Sequence, residues 1–246
     1  MRPEVKAASD SLDEAEWDAY VEGHPRATGY HLMAWRRVIE RVFGHQTVYI
    51  TARDEEGLIC GVLPLVFVSS RLFGRFLVSL PFVNYGGLLA DDARFRDKLL
   101  EQAVEQARNL TADHIELRHQ DMSDLCWPQK QHKVSMRLEL PGDFDNLWKQ
   151  FSAKLRSQIR RAEKEGMVFR AGGEDLLEDF YAVFSRNMRD LGTPVYRPAF
   201  FAEIPSFSRE LADRGRLSRR ETRCRRIPLW LSPSLGDSLG VIRPAL

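Results

Sequence analysis

The sequence predicts a mixed α/β (α+β) protein with a largely antiparallel sheet. Two observations lead to this fold class. First, apolar residues at helical spacing and β-rich runs occur in the order helix, helix, three strands, helix, two strands, without the regular alternation that parallel sheets need. Second, a new series of helix, helix, strand and helix begins after Pro141-Gly142. We therefore expect one domain over residues 1–142 and the start of another over residues 143–204.

The elements of the first domain follow from caps, turns and periodicity. Ser11 and Glu14 have capping-box spacing, which predicts a helix over residues 11–22 that ends before His24-Pro25. A second helix carries the apolar stripe Trp35, Val38, Ile39, Val42 and closes at Gly44. An antiparallel hairpin over 47–52 and 58–68, a strand over 76–83, a helix over 94–110 and strands over 115–117 and 134–140 complete the domain.

The segment Pro81–Gly87 is unusual because an apolar strand runs directly into Asn-Tyr-Gly-Gly. Small residues at such a position expose backbone amides. The pattern is typical of a strand-end turn, and it is equally compatible with a ligand loop. Both interpretations stay open at the level of the sequence.

The second domain is predicted to begin with Asp143 as an N-cap, followed by apolar residues at spacings of three and four as far as Ile159. Residues 167–170 read as a strand and residues 176–190 as a helix. A loop with two prolines, Leu191–Pro198, then leads to a short helical segment over 199–204.

The helix predicted over Lys154–Gly166 has a basic face. Ser152 is its expected N-cap, and Leu155, Ile159 and Ala162 form its narrow apolar stripe. The opposite side carries cations, namely Lys154, Arg156, Arg160, Arg161 and Lys164. Such a face is either a solvated surface or a site for an anion.

The composition changes after residue 204. Eight arginines occur between Arg209 and Arg226, and no lysine follows Lys164. An aperiodic, arginine-rich and lysine-free segment is typical of a GC-rich gene translated out of frame, so residues 205–246 are expected to be disordered or the product of a frameshift. A basic tail that binds nucleic acid is the alternative.

Bulk properties exclude several classes of protein. The net charge of +1 gives no global field that would attract nucleic acid. Three distant cysteines provide neither a zinc signature nor a disulfide framework, and the histidines lack partners at ligand spacing, so no metal site is expected. There is no apolar signal core and no run long enough to span a bilayer, which favours the cytoplasm.

Five stretches together carry a resemblance to a known family. They are Tyr30-His31-Leu32…Trp35, Gly61–Leu65, Pro81–Gly87, Leu155–Gly166 and Leu191–Pro194. They resemble FemAB-type acyltransferases, and in particular the FemAB-related proteins associated with bacterial exopolysaccharide and exosortase/PEP-CTERM gene clusters. The two halves of a FemAB protein are each related to the GNAT acetyltransferase fold, so the resemblance implies a GNAT-like domain followed by an incomplete second one.

The resemblance also implies a function. It is the transfer of an acyl or aminoacyl group to an amine of a cell-envelope, peptidoglycan or exopolysaccharide precursor. The donor bears phosphate, as aminoacyl-tRNA or acyl-CoA does, and no cofactor is held permanently. The residues expected to bind substrates are Arg156, Arg160, Arg161, Lys164, Asn84, Tyr85, Gly86 and Thr193. No catalytic residue is assigned.

Two departures from the family pattern leave alternatives open. The only approximation to a GNAT pyrophosphate turn is Arg71–Phe76, which ends in phenylalanine and leads into a strand. The later elements of the second GNAT-like half are replaced by the arginine-rich tail, so an inactive chain is one expectation. A non-catalytic GNAT-like scaffold that binds polysaccharide machinery is therefore the alternative function.

Overall fold

The computed structural model describes residues 4–8, 12–119, 127–130, 138, 141–170, 173–204 and 241–244. The chain forms two compact units, Met1–Trp127 and Pro128–Leu246. The predicted domain boundary lies at residue 142, and most residues between 128 and 142 are outside the described ranges. That boundary stays a prediction.

The first unit is a mixed α/β domain. Its strands are β1 (Glu4–Ala8), β2 (Gln46–Arg53), β3 (Ile59–Ser70), β4 (Gly74–Val78), β5 (Leu89–Ala90) and β6 (His114–Glu116). Its helices are α1 (Glu14–Gly23), α2 (Ala34–Val38), which continues as a π-turn over Ile39–Phe43, and α3 (Ala93–Asn109), with a 3-10 turn at Gly29–His31. The sheet order is β1-β2-β3-β4-β6, and β5 pairs with β3. Among the described strand pairs, β4 with β6 is the parallel one, which confirms a mixed, largely antiparallel sheet.

Side-chain caps determine where α1 and α3 begin. The carboxylate of Asp13 accepts hydrogen bonds from the backbone N–H groups of Ala15 and Glu16, so α1 begins at Glu14 rather than at the predicted residue 11. Asp92 caps α3 in the same way. Gly44 ends the second helix with φ +67°, a conformation that glycine adopts without steric cost.

The core of the first unit lies between α3 and the sheet. The predicted helix face packs inward, with Leu99, Ala103 and Ala107 buried against Leu63 and Leu77. In α1, Trp17 is fully buried, and its indole N–H donates to the carbonyl of His31 at 2.7 Å. The apolar periodicity of the sequence therefore identifies the buried faces of α1 and α3 correctly.

The second unit contains α4 (Phe144–Gln150), α5 (Ala153–Lys164), β7 (Met167–Arg170), a 3-10 turn (Glu174–Leu176), α6 (Leu177–Asp190), a helical segment over 198–204 and β8 (Val241–Pro244). Phe151 is extended and separates α4 from α5, and the hydroxyl of Ser152 accepts from the N–H of Leu155, as its predicted capping role requires. None of the helices in the described ranges combines the length and the apolar character needed to cross a bilayer.

Three predictions need correction or fall outside the described ranges. The strand predicted over 76–83 ends at Val78, because Leu80 and Phe82 have positive φ and turn the chain. The strand predicted over 134–140 lies outside the described residues, with the exception of Leu138. Of the tail 205–246, only 241–244 is described, and it forms β8 antiparallel to β7, a strand that the prediction of disorder did not include. The frameshift stays a prediction.

Candidate functional site

The first candidate region lies where the parallel strands β4 and β6 end. Ligand sites in sheets with parallel strands commonly lie at the carboxyl ends of such strands. Two hydrogen bonds join the two ends here. The N–H of Ser79 donates to the carbonyl of Glu116 at 2.9 Å, and the N–H of Arg118 donates to the Ser79 hydroxyl oxygen at 2.7 Å. The loop Pro81–Gly87, called the glycine loop below, follows directly from this junction.

Arg118 fixes the first half of the glycine loop. Its guanidinium donates to the carbonyl of Val83 at 3.0 Å and to the carboxylate of Glu116 at 2.7 Å. No sequence pattern relates Arg118 to a loop 35 residues away, so its contact with the loop is visible only in the structure. Its guanidinium is therefore engaged in holding the loop.

The backbone of the glycine loop turns sharply. Leu80 and Phe82 have φ of 52° and 72°, a region that bulky residues rarely occupy. Gly86 has φ +135°, and a Cβ at this position would lie 2.5 Å from Cδ1 of Leu80. Glycine is required at residue 86 for both reasons.

His31 holds the other end of the loop from inside the domain. Its side chain is 4% exposed, and Nδ1 accepts a hydrogen bond from the N–H of Thr28 at 3.1 Å. The proton of the neutral ring is therefore on Nε2, which donates to the carbonyl of Gly87 at 3.1 Å. Burial lowers the pKa of His31 to about 4, and the interactions of the ring with the backbone carbonyls of Thr28 and Gly87 oppose this shift only in part. His31 is neutral at physiological pH.

His119 lies against the same loop. A Cβ at Gly87 would come within 2.8 Å of Nδ1 of His119, so the imidazole packs directly on the glycine backbone. Burial, and then the charge of Arg26, lower the pKa of His119. Its buried Nε2 has no hydrogen-bond partner in the part of the chain that the structure describes. His119 is not among the residues predicted to bind substrate, because its contact with Gly87 depends on the folded domain.

Of the loop residues predicted to bind substrate, Asn84 is exposed, whereas Tyr85 and Gly86 are buried. The ring of Tyr85 lies 6.4 Å from that of Tyr30, in a tilted arrangement. The Asn84 side chain is thus the most accessible polar group of the loop to a ligand. Direct contacts of Tyr85 and Gly86 with substrate stay predictions.

The second candidate region is the basic face of α5. The Arg161 guanidinium donates to the carboxylate of Glu165 at 2.7 Å, one helical turn away. Arg160 lies over the ring of Trp148, with 5.6 Å between its guanidinium carbon and the ring centroid. Within the described ranges, Arg156, Arg160 and Lys164 form no ion pair with a carboxylate. Of the four cations on this face that are predicted to bind substrate, three therefore have no carboxylate partner among the described residues.

Thr193 belongs to the motif that ends α6. Its N–H donates to the carbonyl of Met188 at 2.9 Å, and the N–H of Gly192 donates to the carbonyl of Arg189 at 2.9 Å. Gly192 has φ +68°, which completes a Schellman motif. The Leu-Gly-Thr-Pro sequence is thus explained by helix termination, and the exposed Thr193 side chain stays a predicted substrate contact.

No cluster of His, Cys, Asp and Glu side chains in the described ranges has the arrangement of a metal site. The two regions described above contain backbone amides, the neutral imidazole of His31 and the guanidinium groups of α5. The glycine loop belongs to the first unit, whereas α5 belongs to the second.

No family model matches the sequence, and no curated protein sequence matches it. Among solved structures, FemX aligns with a TM-score of 0.55 and 19% identity over 81% of this chain and 53% of its own. An acetyltransferase of Trypanosoma brucei also matches, with a TM-score of 0.36 and 18% identity over 56% of this chain and 99% of its own. Glucosamine-6-phosphate N-acetyltransferase of Arabidopsis thaliana matches with a TM-score of 0.37 and 15% identity over 56% of this chain and 100% of its own.

The similarity to FemX concerns the fold. It extends over most of this chain, which spans about half the length of FemX. The mixed α/β architecture and the FemX alignment agree with the fold expected from the sequence. The chain therefore shares the fold of FemX over the aligned residues.

Proposed function

We propose that the chain is a FemAB-like N-acyltransferase or aminoacyltransferase that acts in the bacterial cytoplasm. It transfers an acyl or aminoacyl group to an amine of a cell-envelope or exopolysaccharide precursor. The donor is a phosphate-bearing carrier, aminoacyl-tRNA or acyl-CoA. The observation that carries the proposal is the basic face of α5, on which Arg156, Arg160 and Lys164 have no carboxylate partner within the described ranges.

These three cations suit a chain of phosphates. They are four residues apart, which spaces them about 6 Å along the helix axis. Arginine binds phosphate through two parallel hydrogen bonds, and lysine adds a compact charge. Because Arg161 already pairs with Glu165, it is the member of the predicted set that contributes least to phosphate binding.

The proposed reaction is an aminolysis. The acceptor amine attacks the carbonyl carbon of the donor, a C–N bond forms, and the C–O or C–S bond to the carrier breaks. The amine proton ends on the leaving oxygen or sulfur. This chemistry depends on orientation and on donors to the oxyanion more than on a protein nucleophile. In the proposal, the Asn84 side chain orients a substrate at the glycine loop, backbone amides of that loop polarise the carbonyl, and Thr193 contacts substrate.

The fold supports this assignment without determining it. FemX shares the fold over 81% of the chain at 19% identity. Founding FemAB proteins use aminoacyl-tRNA as donor and a peptidoglycan precursor as acceptor, and the resemblance extends these classes to this chain as proposals.

A double charge reversal tests the donor site. We expect Arg156→Glu/Arg160→Glu to weaken binding of tRNA, CoA or a nucleotide sugar by at least roughly tenfold, because two phosphate-binding cations become anions. Fluorescence anisotropy at fixed ionic strength measures the affinity of each ligand. The far-ultraviolet circular dichroism spectrum should not change, because both side chains lie outside the core.

The matched control is Arg186→Glu/Arg189→Glu on α6. These arginines are exposed and belong to the same unit, so the net charge changes by the same amount. A general electrostatic effect would weaken binding equally in both double variants and would contradict the proposal. Unchanged affinity of the α5 variant for all three ligands would contradict it as well. Normal donor binding without transfer to any amine would favour the non-catalytic scaffold.

A further inference from the structure

The turn between β3 and β4 exposes two large apolar side chains side by side. Leu72 is 87% exposed and Phe73 is 80% exposed. Single exposed apolar residues are common on protein surfaces and need no explanation. Two adjacent ones at the tip of a hairpin are unusual, because hairpin turns are normally built from Gly, Asn, Asp, Pro or Ser.

The turn does not need these side chains for its own structure. The hydroxyl of Ser70 accepts hydrogen bonds from the N–H groups of Leu72 and Phe73 at 3.2 and 3.3 Å. Gly74, with φ +85°, provides the left-handed residue that closes a three-residue hairpin loop. Ser70 and Gly74 thus form the turn and leave the three residues between them free to serve another purpose.

The base of the hairpin is braced against the rest of the unit. The N–H of Arg75 donates to the Asp113 carboxylate at 2.7 Å, and its guanidinium donates to the Thr111 hydroxyl, also at 2.7 Å. A Cβ at Gly74 would lie 2.7 Å from Oδ2 of Asp113. The apolar tip is therefore held on a supported hairpin rather than on a loose loop.

Cations flank the apolar pair. Arg71 precedes Leu72 and Arg75 follows Gly74, and both arginines are exposed. Within the described ranges neither guanidinium forms an ion pair, and the carboxylate of Asp113 accepts a hydrogen bond from the backbone N–H of Arg75. The tip thus combines an apolar end with a positive rim.

We propose that the tip Arg71–Phe73 binds the surface of a membrane that contains anionic phospholipids. Leu72 and Phe73 enter the boundary between headgroups and acyl chains, while Arg71 and Arg75 contact lipid phosphates. A stable protein interface needs about 800 Å² on each partner, far more than two side chains at a hairpin tip present. A bilayer accepts a few inserted side chains, and nearby cations add affinity for anionic lipids. The inference does not depend on the proposed transferase activity.

Vesicle co-sedimentation of the full chain tests the proposal. We expect the chain to bind vesicles in which about one third of the lipid is phosphatidylglycerol and the rest is phosphatidylcholine. Binding to vesicles of phosphatidylcholine alone should be weaker by a factor of about five or more. Leu72→Ser/Phe73→Ser should lower the partition coefficient on the anionic vesicles roughly tenfold or more. Both residues are so exposed that the variant should fold normally, which circular dichroism verifies.

The chain offers a matched control at the opposite end of β3. Leu58 is 59% exposed in the turn between β2 and β3, next to the acidic residues Glu55 and Glu56. Leu58→Ser should leave vesicle binding unchanged. The proposal is overturned if the wild-type chain does not bind anionic vesicles, or if the tip variant binds them as well as the wild type. Self-association that depends on the tip, without vesicle binding, would also overturn it and identify a second copy as the partner.

Discussion

The glycine loop of the first unit and the helix α5 of the second differ in how their polar groups are engaged. The loop is held by groups around it. Arg118 binds the carbonyl of Val83, His31 binds the carbonyl of Gly87, and His119 packs on the Gly87 backbone. On α5 the cations are on the surface, and Arg161 is the one with a carboxylate partner in the described ranges.

An unusual sequence can therefore have two physical origins. The glycines of the loop are required by the fold, because other residues would collide with their surroundings. The arginines of α5 contribute little to the fold, since exposed cations stabilise a protein weakly. Substitutions in the loop should therefore change stability, whereas substitutions on the basic face should change ligand binding.

The largest effect is expected for Gly86→Ala. Alanine at φ +135° is strained by about 1–3 kcal/mol, and its Cβ would overlap Cδ1 of Leu80, at a further cost of about 1–3 kcal/mol. We expect the free energy of unfolding to fall by about 4 kcal/mol in total. Urea titration followed by circular dichroism measures it.

Gly23→Ala serves as the control for this substitution. Gly23 lies at the end of α1, and a Cβ there would meet no atom within 4 Å. The urea midpoint of the Gly23→Ala variant should equal that of the wild type or be slightly higher, because alanine is more favourable than glycine in a helix by about 1 kcal/mol. If Gly86→Ala unfolds at the wild-type midpoint, the loop is not fixed in the way described.

The next largest effect concerns pH and His31. Its folded-state pKa of about 4 is below the ordinary value of 6.5, so the unfolded chain binds the proton more readily. The contribution of neutral His31 to the free energy of unfolding is therefore fully present above about pH 6.5. It is lost as the pH falls towards 4, and the loss amounts to about 3 kcal/mol. Urea midpoints measured across this range should decrease steadily with falling pH.

His31→Gln isolates the contribution of this histidine. Glutamine does not titrate, and its amide retains a donor for the Gly87 carbonyl. The variant is expected to be less stable than the wild type at neutral pH and to lose less stability between pH 6.5 and 4. An identical pH dependence in the two proteins would mean that His31 does not titrate in this window on unfolding.

Much of the fold could be read from local signals. Periodicity and caps predicted α3 and β3 to within two residues, and Ser152 was identified as the cap of α5. Strand β1 was missed because its pairing with β2, some forty residues later in the chain, leaves no local pattern. The two-residue strand β5 is too short to carry any periodicity.

The candidate site was predictable only where a side chain acts through its own chemistry. The cations of α5 are visible in the sequence because their spacing alone makes a basic face. His31 and His119 were not assigned to the loop, because the contacts with Gly87 depend on strands that come together in the folded domain. Arg118 was missed for the same reason. Burial, which sets the pKa of both histidines, cannot be read from neighbouring residues alone.

The smallest of these effects is expected at the start of α5. In Ser152→Ala the N–H of Leu155 loses its side-chain acceptor, and the cost of a lost N-cap is about 1 kcal/mol. Far-ultraviolet circular dichroism during urea titration should show this shift, while donor binding at low urea is retained because the basic face is unchanged. As a control, Arg161→Ala removes the exposed pair with Glu165 and should cost less than about 0.5 kcal/mol. A larger loss for Arg161→Ala than for Ser152→Ala would mean that the cations of α5 stabilise the fold, and the contrast with the glycine loop would fail.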